Sequence, residues 1–246
     1  MESHGQCRLC LAEKKLCHSH IYPEFFYKPM YDEKYHSFFV LSNDPDKPNR
    51  FKRKGIREYL LCSDCEENFG LREQYARGII YGGVEVYSVV KGSELHLKDI
   101  DYSKFKLFLL SLIWRMGIAG EDFFREVQLG PYEEALRLRL LNADPGTDDD
   151  FGCLIVGVKI DEAFGHWFLP PSKVKIDGRF CYRAVIGGLL FIFFVTNQKF
   201  PPGTKRFFIK KDGTMILRAD KLTDIHFLRE ECFEIVKAAQ IRRAQN

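Results

Sequence analysis

The chain has 246 residues, enough to bury a sizeable apolar core, with the 46% hydrophobic and 29% charged content of a globular fold. Its net charge of +3 is too small to imply a nucleic-acid partner by itself. The longest apolar run, Ala184 to Val195, is about a dozen residues with two glycines, and a membrane helix needs roughly 20, so no membrane partner is expected.

In chain order, two Cys-x-x-Cys pairs, Cys7/Cys10 and Cys62/Cys65, organise the first third of the sequence. A two-residue gap lets both thiolates face one metal, and two such pairs complete a tetrahedral Zn²⁺ shell. Metal-ligand spacing in four of the eight cysteines fits a reducing compartment. Met1–Gln6 lacks a charged-then-apolar leader, so a cytoplasmic location is expected. Cys153, Cys181 and Cys232 lie in apolar or amphipathic segments and read as buried small hydrophobes.

Ile21 to Tyr31 is dense in aromatics and is expected to pack the metal module against the rest of the protein. Tyr35 to Leu41 reads as a strand, and Asn43 to Asn49 as turn chemistry. An acid-free basic run follows, with Lys47, Arg50, Lys52, Arg53, Lys54 and Arg57 within eleven residues. It is either a solvated loop or a phosphate-binding patch. Ser63 and Glu66 have capping-box spacing, so a helix opens at the second cysteine pair. Leu71, Tyr75 and Ile79 mark its periodicity, and Gly82-Gly83 ends it.

Val84 to Val90 alternates as a strand, and Ser93 to Asp101 reads as a connector. From Phe105 to Met116 apolar residues recur at helical spacing with a second apolar face, which predicts a buried helix over about 103–117. Pro131 opens another helix with Leu136, Leu140 and Leu141 inside. Asn142 to Asp150 is an acidic loop. An antiparallel sheet is expected over about 151–217, with hairpins at Asp177-Gly178 and Asp212-Gly213 and breaks at Pro170-Pro171 and Pro201-Pro202-Gly203. A C-terminal helix is expected over about 220–240, with Leu222, Ile225, Leu228, Cys232, Ile235 and Val236 inward and Arg242 and Arg243 in solvent. The fold class is α+β, with a zinc module at 1–83 and an α+β domain at 84–246.

Cys7-x2-Cys10, Ser19-His20-Ile21-Tyr22-Pro23 and Leu61-Cys62-x2-Cys65 together resemble the zinc-containing branch of HNH-type endonucleases, over residues 7–69. The resemblance implies a treble-clef ββα module in which His20 is the general base that activates water against a phosphodiester. It also implies a Mg²⁺ or Mn²⁺ ion beside His20 and backbone phosphates held by Arg50, Lys52, Arg53, Lys54 and Arg57. The sequence departs from the family pattern at Ser19, Arg57 and Glu66, where metal-binding or motif residues would stand. Asp64, Glu66 or Glu67 would have to supply the missing oxygen ligands. Other roles stay open: His20 can bond locally or replace a cysteine on zinc, His18 shares its strand face, and Cys17 is either a fifth thiol for the site or a packing residue.

The sequence lacks the glycine-rich phosphate loop with its lysine and the Gly-x-Ser-x-Gly elbow. Three functions follow: a metal-dependent endonuclease of HNH descent acting in bacterial defence, a non-catalytic DNA- or RNA-binding or sensing protein, and a protein–protein adaptor in which zinc is only structural.

Overall fold

The computed structural model describes residues 3–41, 48–161, 163–196 and 198–244. The fold is mixed α+β. In the N-terminal region, β1 (His4–Gln6), β2 (Glu13–His20) and β5 (Arg57–Cys62) form a three-stranded sheet in the order β1-β2-β5. Between β2 and β5 lie a one-turn helix α1 (Glu24–Tyr27) and a two-stranded ribbon of β3 (Phe38–Val40) and β4 (Arg50–Lys52). Helix α2 (Ser63–Tyr81) follows β5 directly.

The second region contributes β6 (Tyr87–Lys91), β7 (Glu94–Lys98), α3 (Tyr102–Ile118), α4 (Tyr132–Leu141), β8 (Cys153–Ile160) and β9 (Ala163–Phe164). Then come β10 (Leu169–Ile176), β11 (Arg179–Ile186), β12 (Leu189–Phe194), α5 (Pro202–Lys205), β13 (Met215–Lys221) and α6 (His226–Ala244). The strands make one eight-stranded sheet in the order β10-β11-β12-β8-β13-β7-β6, with β9 paired to β8. Among the described residues no helix is long and apolar enough to cross a membrane.

Helix α3 is the spine. The Asp101 carboxylate caps it by accepting from Lys104 N at 3.0 Å. Every residue from Phe105 to Met116 is buried, and the apolar ones share one buried cluster with the N-terminal region and with residues of the large sheet. One cluster of buried side chains runs from Cys7 and Phe69 through Trp114 to Phe191 and Met215. Tyr22, Phe25, Phe26 and Tyr27 carry it across, as expected for the aromatic segment. Tyr27 stacks on Phe168 at 4.5 Å, and Phe26 meets Phe191 edge-on at 6.1 Å. A second cluster lies across the sheet, where Val185, Leu190, Ile192 and Phe194 pack with Leu228 of α6. The Ala184–Val195 run is therefore a strand pair buried on both faces. Its turn uses Gly187 and Gly188 at φ 61° and 83°.

Several expectations are corrected. The sheet is not wholly antiparallel, since β13 pairs parallel to β8, and it recruits β6 and β7 from outside 151–217. Ser93 to Asp101 is thus no plain connector: Gly92, at φ 61°, turns the chain into β7. Pro170 and Pro171 do not break the chain. They sit in β10, an edge strand with a register shift between Leu169 and Ser172, where missing N–H donors cost nothing.

Asp212-Gly213 does turn, but the chain before it is not a strand, because Phe207 and Phe208 continue the helical turn of α5 by donating to Thr204 O and Lys205 O. The Tyr35–Leu41 strand shrinks to β3, because the Asp32 carboxylate gathers the N–H groups of Lys34, Tyr35 and Ser37 into a turn. Leu141 and Val236 are exposed rather than inward. The Asn43–Lys47 part of the predicted turn and the side chains of Arg242 and Arg243 lie outside the described residues.

Candidate metal centre

The four sulfurs of Cys7, Cys10, Cys62 and Cys65 lie within 4.8 Å of one another. The ladder between β2 and β5 closes the long sequence gap, because it places Leu16 opposite Cys62. The first pair sits in a tight knuckle: Leu11 N donates to Cys7 O at 2.8 Å, and Leu11 takes a positive φ of 62°. Arg8 N donates to Leu60 O at 2.9 Å, and Cys62 N donates to the Cys7 sulfur at 3.3 Å. From α4, Arg137 donates to Leu9 O at 2.6 Å and pins the knuckle from outside.

Cys62 is the N-cap of α2 and Cys65 lies in its first turn, where the positive end of the helix dipole favours thiolates. The predicted capping box does not form. Cys62 takes the N-cap, Ser63 is already helical, and the Glu66 carboxylate instead accepts from the buried Ser19 hydroxyl at 2.6 Å.

Burial alone would raise the Cys7 thiol, but backbone N–H groups of Cys10, Cys62 and Leu9 outweigh it and hold the group at about 7. Burial pushes the Cys10 and Cys65 thiols up. A cation that displaces these protons would relieve the crowding of the sulfurs. In a tetrahedral zinc site with Zn–S of about 2.3 Å the sulfurs stand about 3.8 Å apart. Cys10 and Cys62 are 3.9 Å apart, so the quartet fits such an ion. Cys17 is outside the quartet, and burial raises its thiol too.

His20 ends β2 with its side chain 18% exposed. Its Nε2 accepts from Arg57 Nε at 2.7 Å and touches the carboxylate of Glu24, which also pairs with Arg57 at 3.3 Å and accepts from Tyr31 at 2.7 Å. Burial first, then the Arg57 charge, pulls the His20 ring down to about 4 against the opposing pull of Glu24, so the imidazole is neutral at pH 7. The backbone is fixed from behind, where the buried Arg115 donates to His20 O at 2.8 Å while pairing with Glu73 at 2.7 Å. His18 sits on the same strand face but stacks on Tyr59 at 4.8 Å.

Glu24, Glu73 and Arg115 were not singled out from the sequence. Glu24 stands four residues beyond His20, and Arg115 is a charge inside an apolar helix; both were readable signals. Asp64 is engaged by Lys14 at 2.7 Å, and Glu67 is exposed. Among the described residues the cysteine quartet is the only group of three or more His, Cys, Asp or Glu ligand atoms in mutual reach.

The basic run divides. Arg57 is turned to His20 and Glu24, and Lys52 is half-buried, its pKa lowered by burial and by Arg50. Arg50, Arg53 and Lys54 are exposed and make no ion pair among the described residues. Lys47 lies outside them. No protein family, no curated protein and no solved structure matches this chain.

Proposed function

We propose that this chain is a zinc-stabilised, nucleic-acid-directed protein whose first 83 residues form an HNH-like treble-clef module. The observation that carries the reading is the set of exposed cations Arg50, Arg53 and Lys54, which make no ion pair among the described residues, in the same N-terminal region as the four-sulfur cluster. Surface cations are ordinarily interspersed with acids, and a cationic run with no acid from Pro48 to Arg57 suits a polyanion backbone. Zinc is the ion taken here, since four thiolates in tetrahedral reach suit a closed structural zinc site. It would close the knuckle onto β5 and α2.

Binding of duplex and single-stranded oligonucleotides across a salt series is the direct test. Engagement of three to four phosphates gives log K falling with log salt at a slope of about −3. A flat series removes the reading and leaves the protein–protein adaptor.

A second reading, phosphodiester hydrolysis, is favoured by the neutral His20 ring held between Glu24 and Arg57. A base must be unprotonated at working pH, and a Mg²⁺ or Mn²⁺ ion can be carried by one carboxylate together with the substrate phosphate. In this reading Arg57 leaves Nε2 when the phosphate arrives. Incubation of plasmid and RNA with either ion, comparing the wild type with His20→Ala, decides it, and cleavage no greater than the mutant background eliminates hydrolysis.

A further inference from the structure

The ribbon of β3 and β4 presents two unlike faces. Phe38 points inward, 5.5 Å from Tyr27 and 5.9 Å from Tyr31, and opposite it in register is the half-buried Lys52. The next position on each strand points the other way. Phe39 and Phe51 are cross-strand partners whose ring centroids are 5.0 Å apart, and they are 44% and 71% exposed. The rings are tilted by 51° to each other rather than stacked, so neither covers the other's face. Two large exposed aromatics side by side are costly unless something covers them. Cations are their neighbours along the chain: Arg53 and Lys54 follow Phe51 closely and Arg50 precedes it, paired with Val40 on the alternate face, with no acid between Pro48 and Arg57.

We infer that the Phe39–Phe51 pair is a stacking platform for unpaired bases, and that the polyanion this protein recognises is single-stranded nucleic acid. The inference rests on the nucleic-acid reading above and adds a substrate class to it. Aromatic faces ringed by cations bind single strands by base stacking and phosphate contact together, whereas a duplex keeps its base faces inside the helix. The inward Phe38 and the Asp32-centred turn, in which Ser37 N donates to the Asp32 carboxylate at 2.8 Å, hold the platform on the folded body. Stacking does not select the sugar, so DNA and RNA strands are both candidates and the experiment separates them.

Fluorescently labelled oligodeoxynucleotides and oligoribonucleotides of equal length, and the corresponding DNA duplex, are titrated with the full-length wild type, Phe39→Ala/Phe51→Ala, Arg53→Ala/Lys54→Ala, and Phe233→Ala as a control at another exposed ring. The wild type is expected to prefer a single strand to the duplex. Removing both rings is expected to weaken single-strand binding by about tenfold or more with the salt slope unchanged. Removing the two cations reduces that slope instead. Single-strand affinity that survives loss of both rings, while the cation variant weakens, overturns the platform and keeps the nucleic-acid reading. Absence of binding to every oligonucleotide, with or without retention on anionic phosphatidylserine vesicles, overturns both.

Discussion

Two buried cations sit at the centre of the molecule, and both bind backbone rather than substrate. Lys106 of α3 donates to Asp150 O at 2.5 Å and Phe151 O at 3.1 Å, tying the acidic loop to the spine. Arg115, 1% exposed, joins Glu73 of α2 to the end of β2. Removing one partner of a buried pair leaves the other charge unsatisfied, so Arg115→Ala should cost about 3–5 kcal/mol in urea denaturation. Arg115→Met with Glu73→Leu should recover most of that loss.

His20 gives a pH signature at the same scale. Its ring titrates at about 4 in the fold against an unfolded value of 6.5, so between those values the unfolded chain holds a proton that the native state does not. Stability therefore rises with pH across that window, is fully present above about 6.5 and is lost as the pH falls towards 4. His20→Gln, which keeps an acceptor for Arg57, should flatten this part of the profile of urea midpoint against pH. An unchanged profile would mean that His20 is not held neutral.

At the scale of elements, what could be read from the sequence depended on how local the cause was. The Asp177-Gly178 hairpin was legible because both residues take the positive φ that its tight turn requires, 50° and 75°. Helix α3 was legible because burial on all sides leaves an apolar pattern on all sides. The cysteine quartet was legible as a set because ligand chemistry imposes its own spacing. Strand β7 was not, since Glu94–Lys98 gains its place only by lying between β6 and β13. Nor was β13 beside β8, a parallel pairing between residues far apart in the chain.

The His20–Glu24–Arg57 arrangement was half legible. The histidine sits in a motif-like string, but its partner from β5 arrives only through the register His20 opposite Arg57. Gly188 tests an element boundary. It combines φ 83° with close approach to the Gly165 carbonyl, where an added methyl would collide. Gly188→Ala should therefore cost more than the roughly 1–3 kcal/mol of backbone strain alone, read as a drop in Tm, whereas Gly178→Ala, which meets no neighbour, should show strain only.

For the whole molecule, the question is whether a metal held by the four cysteines would stabilise a module or the entire fold. The buried cluster that contains Cys7, Cys62 and Cys65 also contains Trp114, Phe191 and Met215, so the cysteines share one core with the spine and the large sheet. A core without an internal seam unfolds cooperatively, and energy supplied at one end is felt at the other. Metal removal should then lower a single transition rather than melt the first 83 residues and leave the rest. Cys62→Ser, which removes one ligand, should lower metal content and shift the same transition, because binding energy here is folding energy. Heating the metal-loaded and chelator-treated protein while following hydrogen exchange of α2 and of the β11–β12 strands separately distinguishes the cases. Coincident curves that move together on chelation are expected. A sheet that keeps its protection while α2 loses it would show that the fold divides near residue 83 and that such a metal serves only the first part.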